Sequence, residues 1–403
     1  MDLFVARQPI FNRAQQAIAY ELLFRSATGG AVQAADYEQA ALDVLRDIFF
    51  VFGLEHLTSG KKAFVNLSRR ALVEEKVTIF PSETTIVEIL EDIEPDEEVI
   101  AACVKLKKAG YQLALDDFVY REALDPLIEL ADYIKVDFKI TAGEERRKLI
   151  HRYAGSQIQF IAEKVETHEE FHEAYECGYA YFQGFFICEP EIISSRDIPG
   201  FKVNYLHLLK EINRPDLDMD SLEQIIKHDV SLSYKLLRYL NSAWFGWRTE
   251  VKTIKAALIR LGEKPVRKWV SMIAFTNMAE DKPPELLLAS LIRARFCELI
   301  GQEAKIKGKE LDLFLMGMFS LIDALIDRPL PELLDELSLS KDVKEALLDD
   351  GASLGKVYRL VISYERGDWE SVASLADTLK ATRTRVPECY TEAVEWADQV
   401  MRL

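Results

Sequence analysis

Along the first half of the chain, short apolar runs each end on a polar or charged residue, and amphipathic stretches separate them. The runs are IAYE ending at Glu21, AFVN at Asn66, TIVE at Glu88, LALDD at Asp116 and Asp117, YIKVD with Lys135 and Asp137, FIAEKVE with Glu163 and Glu166, and YFQ at Gln183. Apolar and β-branched residues in such runs predict buried strands. The stretches Tyr37–Gly53, Glu97–Gly110 and Glu169–Gly178 carry apolar residues at three- and four-residue spacing and close on Gly, which predicts helices. Alternating strand and helix predicts a mainly parallel sheet, and polar groups at successive strand ends predict a β/α barrel with its site on that rim.

The alternation stops near Ser194–Asn204. Beyond it the pattern is helical: Ser231–Ala243 has a Ser cap and apolar positions at Leu232, Leu236, Leu237 and Leu240, and Thr253–Gly262 has a Thr cap and a closing Gly. At 403 residues the chain exceeds what one core usually serves. The expected architecture is α/β, a barrel over residues 1–198, followed by an all-α domain over 199–403.

Hydrophobic residues at 49% and charged residues at 29% fit a folded protein. No apolar stretch reaches the roughly 20 residues of a membrane span, and the first residues lack a signal-peptide layout, so a cytoplasmic protein with no membrane partner is expected. The net charge of −17, from 67 acidic and 50 basic residues, disfavours a nucleic acid polymer as partner. A small phosphodiester stays open to it, provided that metal ions reverse the local charge. The five cysteines form no CxxC pair and are expected reduced and buried.

Oxygen donors without His or Cys suit Mg²⁺ or Mn²⁺ rather than Zn²⁺. Any one of these carboxylates alone reads first as a helix cap or ion-pair partner. The ordered set, with an Asn and a Lys among the acids, favours a site.

The barrel half resembles the EAL domain of cyclic di-GMP phosphodiesterases. The resemblance rests on Gln8–Ile10 (QPI), Tyr20–Arg25 (YELLFR), Val65–Ser68, Val87–Glu91, Leu115–Phe118, Ile134–Asp137, Ala162–Thr167 and Gln183–Phe186, in order. It implies a TIM-like barrel with a two-metal site of Mg²⁺ or Mn²⁺ held by Glu21, Asn66, Glu88, Asp116 and Asp117. It further implies Glu163 as general base and Lys135 as the group that holds or polarises the water. Arg25, Asp137, Glu166 and Gln183 would then contact the substrate, cyclic di-GMP.

The helical half resembles the HDOD domain through Ile225–Gly246, Ile254–Gly262 and the helix near Ser320, best over residues 200–280, with Ser363–Glu370 a later marker. HDOD domains are relatives of HD phosphohydrolases that lack the metal dyad. The literal His228-Asp229 pair falls at a seam between helices, and Ser320-Leu321 stands where a dyad belongs, so no enzyme is expected there. The implied role is docking of a signalling protein, with the cluster Asn241–Trp247 either a partner anchor or core.

Two departures bear on turnover. Active EAL proteins continue DDF into a Gly- and Ser-rich loop that also builds a homodimer, whereas this chain reads DDFVYREALDPL over Asp116–Leu127 with no Gly. Lys164 replaces the Gly after Glu163, and a long cation beside that base could pair with it, lower its basicity or occupy substrate space. The sequence therefore leaves two readings: hydrolysis of cyclic di-GMP, at a reduced rate, or a silent EAL-HDOD scaffold acting through protein contacts.

Overall fold

A computed structural model describes residues 3–26, 57–191, 200–217, 219–228, 230–240, 251–349 and 354–402. The expected helix Tyr37–Gly53, Asp229 and the aromatic cluster Asn241–Trp247 lie outside the described residues. Contacts group Met1–Glu189 with Ile362–Asp377 and Thr382–Thr391 into one compact unit, and Pro190–Val361 with Thr378–Ala381 and Glu392–Leu403 into a second.

Eight strands close a barrel in chain order: β1 (Leu3–Asn12), β2 (Ala17–Ser26), β3 (Lys62–Leu67), β4 (Thr85–Ile89), β5 (Gln112–Leu115), β6 (Tyr133–Asp137), β7 (Gln159–Glu163) and β8 (Tyr181–Gln183). The sheet is parallel from β2 to β8, as the alternation predicts. β1 runs against both neighbours, which a strictly parallel barrel would not have.

A two-residue period explains what the barrel holds inside. Ala19, Phe64, Ile86, Ala114, Tyr133 and Ile161 pack with Ile10 into one internal apolar cluster, with Tyr181 against it. Two residues further along each strand, and therefore on the same face about 6.6 Å higher, stand Glu21, Asn66, Glu88, Asp116, Lys135, Glu163 and Gln183. The lower layer is a plug and the upper layer a polar ring. Because β1 is reversed, its upper-layer residue precedes Ile10 and is Gln8.

The outer faces of the strands pack with the surrounding helices into a second, larger core. Helix Glu97–Lys108 starts on Asp96, whose carboxylate accepts from Val99 N, and buries Val99, Ala102, Cys103 and Leu106. Helix His168–Cys177 starts on a reciprocal Thr167–Glu170 capping box and ends on Gly178, whose φ of 100° suits glycine. The C-terminal part of this unit lies on β1. Tyr364 Oη accepts from Val5 N at 3.2 Å and donates to Val5 O at 2.8 Å, and Trp369 stacks on Phe4 with centroids 5.4 Å apart.

Among its described residues the second unit contains helices joined by turns and no strand. Thr253 caps helix Ile254–Leu261 by accepting from Ala256 N, and Gly262 follows with φ of 81°, both as the sequence predicts. Helix Val230–Leu240 begins one residue before the expected Ser cap at Ser231. The run Glu310–Ile326 divides at Ser320 into Glu310–Phe319 and Ile322–Ile326. Cys103, Cys297 and Cys389 are buried as expected, whereas Cys177 and Cys188 are half-buried; none of the five is in a disulfide. Among the described residues no helix is long and apolar enough to cross a membrane.

Candidate functional site

The polar ring converges on one amine. Lys135 Nζ is fully buried and lies 3.1 Å from Glu21 Oε2, 2.6 Å from Glu88 Oε1, 2.9 Å from Asp116 Oδ1 and 2.6 Å from Glu163 Oε1. Glu21 is held further by Asn66 Nδ2 at 2.9 Å and Gln183 Nε2 at 2.6 Å, and Gln183 also donates to Gln8 Oε1 at 3.1 Å. Asn66 and Glu88 are cross-strand neighbours, as are Asp137 and Glu163, so the strand register alone brings them together.

One lysine cannot balance four carboxylates in a buried site, and their proton affinities diverge accordingly. At Glu21 the effect of burial is outweighed by the charge of Lys135 and by hydrogen bonds from Gln183, Lys135 and Asn66, so its carboxyl is held low. Burial pushes Glu88 well above the ordinary range, and the charge of Glu21 adds to this. Burial also raises Asp116 and lifts Glu163 to about 8, in both cases against the pull of Lys135. Burial works against the charge on Lys135, but the four carboxylates more than offset it and keep the amine protonated.

Several acceptors remain without a donor. Asn66 Oδ1, Glu88 Oε2, Glu163 Oε2 and Gln183 Oε1 are buried and accept no hydrogen bond. Buried oxygens left this way are costly unless a cation or water serves them. The donor set and its surplus negative charge therefore fit hard divalent cations. Carboxylate oxygens of Asp116, Asp117 and Glu91 also lie within 4.8 Å of one another.

Lys164 does not pair with Glu163. Its ammonium lies 3.2 Å from Asp117 Oδ1 and bonds to Asp137 Oδ2, so a contact with the base is replaced by one with two neighbouring acids. Both Asp117 and Lys164 adopt positive φ, 39° and 54°. Asp137 also accepts from Lys139 N at 2.5 Å and Ile140 N at 3.2 Å. Glu166 pairs at the surface with Lys139 Nζ at 2.7 Å. In the loop after Asp117 no other residue needs positive φ; Arg121 reaches Glu94 Oε1 at 3.2 Å and Glu91 O at 3.3 Å. Arg25 lies in β2 opposite Phe4, and its side chain is outside the described residues.

Above the ring opens a cavity of about 490 Å³, of a size suited to a small organic ligand, lined by Glu21, Asp116, Glu163, Lys164, Gln183 and others. Gly184 sets its edge: a Cβ there would sit 1.9 Å from Val165 O. Among the residues that line or adjoin it, Gln8, Glu91 and Arg366 went unassigned in the sequence. Gln8 and Glu91 lie inside quoted motifs, and the i−2 position to Ile10 on a reversed strand is the signal that finds Gln8. Arg366 lies inside the marker Ser363–Glu370, which the sequence ties to the helical half and not to the barrel site.

The family model described as EAL domain matches residues 2–190, and the one described as HDOD domain matches residues 198–339. Over 409 aligned residues the chain is 36% identical to the uncharacterized protein YuxH of Bacillus subtilis, covering 100% of this chain and 99% of the relative. It is 33% identical to the cyclic di-GMP phosphodiesterase CdgJ of Vibrio cholerae over 403 residues, 99% of this chain and 93% of the relative. Among solved structures, Klebsiella pneumoniae BlrP1 in its manganese and cyclic di-GMP complex aligns at 24% identity and a TM-score of 0.39, over 46% of this chain and 55% of that one.

Proposed function

This chain belongs to the family that joins an EAL domain to an HDOD domain, and on that premise we propose that its barrel hydrolyses cyclic di-GMP to the linear dinucleotide. The observation that carries the reading is the convergence of Glu21, Glu88, Asp116 and Glu163 on one buried ammonium, with oxygens beside it that accept nothing. Glu21, Asn66, Glu88 and Asp116 would hold a Mg²⁺ or Mn²⁺ ion, with Asp117 and Glu91 serving a second beside Asp116. When bound, such ions neutralise charge on the phosphoryl oxygens and acidify a coordinated water.

The chain's own groups do the rest. Lys135 fixes Glu163 through Oε1 at 2.6 Å and leaves Oε2, buried and without a donor, as the acceptor for the water's proton. The water oxygen would bond to phosphorus as one ester P–O bond breaks, and the leaving oxygen would depart as an alcohol on taking a proton from solvent, to which Glu163 later returns its own. Gln183 positions Glu21, while Asp137 and Glu166 would border the nucleotide.

The helical unit is read as a docking module for a signalling protein. Only His207 and His228 follow the barrel, too few for a His-rich dimetal site, and Ser320 Oγ donates to Gly317 O as an ordinary helix end.

Turnover of cyclic di-GMP by the full chain in Mn²⁺ or Mg²⁺, abolished by Glu163→Gln, is the expected result. A second reading, the silent scaffold, is favoured by Lys164, whose ammonium engages Asp117 and Asp137. A wild-type chain that neither cleaves nor binds the nucleotide would establish the scaffold instead.

A further inference from the structure

One wall of the cavity comes from the far end of the chain. Arg366 directly follows helix Gly355–Glu365, and its side chain lines the same cavity as Glu21, Asp116 and Glu163. Its position is fixed by its neighbours. On one side Tyr364 Oη exchanges two hydrogen bonds with the backbone of Val5; on the other Trp369 stacks on Phe4, and Gly367, with φ of 70°, makes the turn between them. Gln8 Nε2 donates to Glu365 O at 3.4 Å, tying the turn to a residue that also touches Gln183.

The charges around the cavity are unequally matched. Glu21, Asp116, Asp117, Glu163, Glu166 and Glu189 line it, against the cations Lys164 and Arg366. Lys164 is engaged by Asp117 and Asp137, and Lys135 beneath by four carboxylates. Arg366 forms no ion pair among the described residues; its guanidinium lies over the ring of Phe185, with Cζ 5.7 Å from the centroid. An exposed guanidinium at the lip of a cavity, backed by an aromatic face and paired with no acid, suits an anion that arrives with the ligand. Its planar fork matches two oxygens of a phosphodiester.

We propose that Arg366 binds a phosphodiester of cyclic di-GMP, so that the C-terminal segment supplies part of the nucleotide site. The assignment rests on the proposed reading of the barrel and adds a residue that no EAL motif of this chain contains. It also gives a reason for the segment to be anchored on β1: the anchor holds the arginine where the nucleotide enters.

The test is a calorimetric titration of the full-length Glu163→Gln chain with cyclic di-GMP in Mg²⁺, alone and combined with Arg366→Ala or Arg366→Lys. Arg366→Ala should weaken binding about tenfold, the scale of one charged hydrogen-bonding contact at an exposed rim, without moving the unfolding midpoint. Arg366→Lys should recover part of the loss, and in the otherwise native chain the alanine variant should raise KM more than it lowers kcat. Equal affinity in the Arg366→Ala and parent chains would overturn the assignment alone. A loss of affinity that tracks a lowered unfolding midpoint and is not recovered by lysine would make Arg366 a structural prop and overturn it too. No binding even in the Glu163→Gln parent would overturn the reading of the barrel itself, a separate failure.

Discussion

Lys164 holds a φ of 54°, a conformation that costs a residue with a Cβ about 1–2 kcal/mol. Asp117, its partner across the rim, is at 39°. Two strained residues joined by an ion pair form a local device, since strain of this kind persists where its surroundings fix it. The ammonium stands beside Asp117, a carboxylate of the proposed second metal site. Lys164→Gly should relieve the backbone and free Asp117 and Asp137; a manganese titration followed by electron paramagnetic resonance should show tighter binding, by about tenfold, and unchanged affinity would rule out competition by the lysine. Glu163 gives a second handle at this scale. In the metal-free chain its folded pKa, about 8, exceeds the ordinary value of 4.5, so the folded state holds the proton more tightly than the unfolded state. Its stabilising contribution is complete below about 4.5, declines as pH rises and is gone above about 8. Unfolding midpoints measured in chelator from acid to alkaline pH should therefore fall across this interval, and Glu163→Gln should flatten the trend.

Strand by strand, the two-residue period made the ring legible in the sequence: an apolar residue, then a polar one two places on, repeated from Ala19/Glu21 to Tyr181/Gln183. The cap at Thr253 and the closing glycines Gly110, Gly178 and Gly262 were equally readable, because they act within a few residues, whereas the Ser cap expected at Ser231 gives way to a helix that starts at Val230. What eluded the sequence depends on direction or distance. Gln8 belongs to the ring only because β1 is reversed, and Arg366 reaches the cavity from more than three hundred residues beyond the first strand. Of the effects open to Lys164, pairing with Glu163 is not the one seen, since adjacency in sequence places Glu163 on the inner face while the αL turn aims the lysine at Asp117 and Asp137. Gly184 is a tight constraint on the element that follows β8. Gly184→Ala would drive a methyl into Val165 O and should destabilise the chain by about 2–3 kcal/mol or more, measurable by chemical denaturation. A neutral effect would mean that the backbone there yields.

The barrel unit as a whole is stitched together by residues from both ends of the sequence. Tyr364→Phe would leave Val5 N and Val5 O without their buried partner, and Tyr390 Oη, accepting from Arg7 N at 3.4 Å, would remain the next such contact along β1. A loss of about 1–3 kcal/mol is expected from thermal or urea unfolding; no loss would show that β1 needs no cap from the C-terminal segment. The apolar plug formed by Phe64, Ile86, Tyr133, Ile161 and their neighbours has a different consequence. With the floor of the barrel sealed by side chains, the proposed reaction has a single doorway. The linear dinucleotide must back out past the arginine that admitted its cyclic parent, so release competes with entry, and progress curves should bend early as product accumulates.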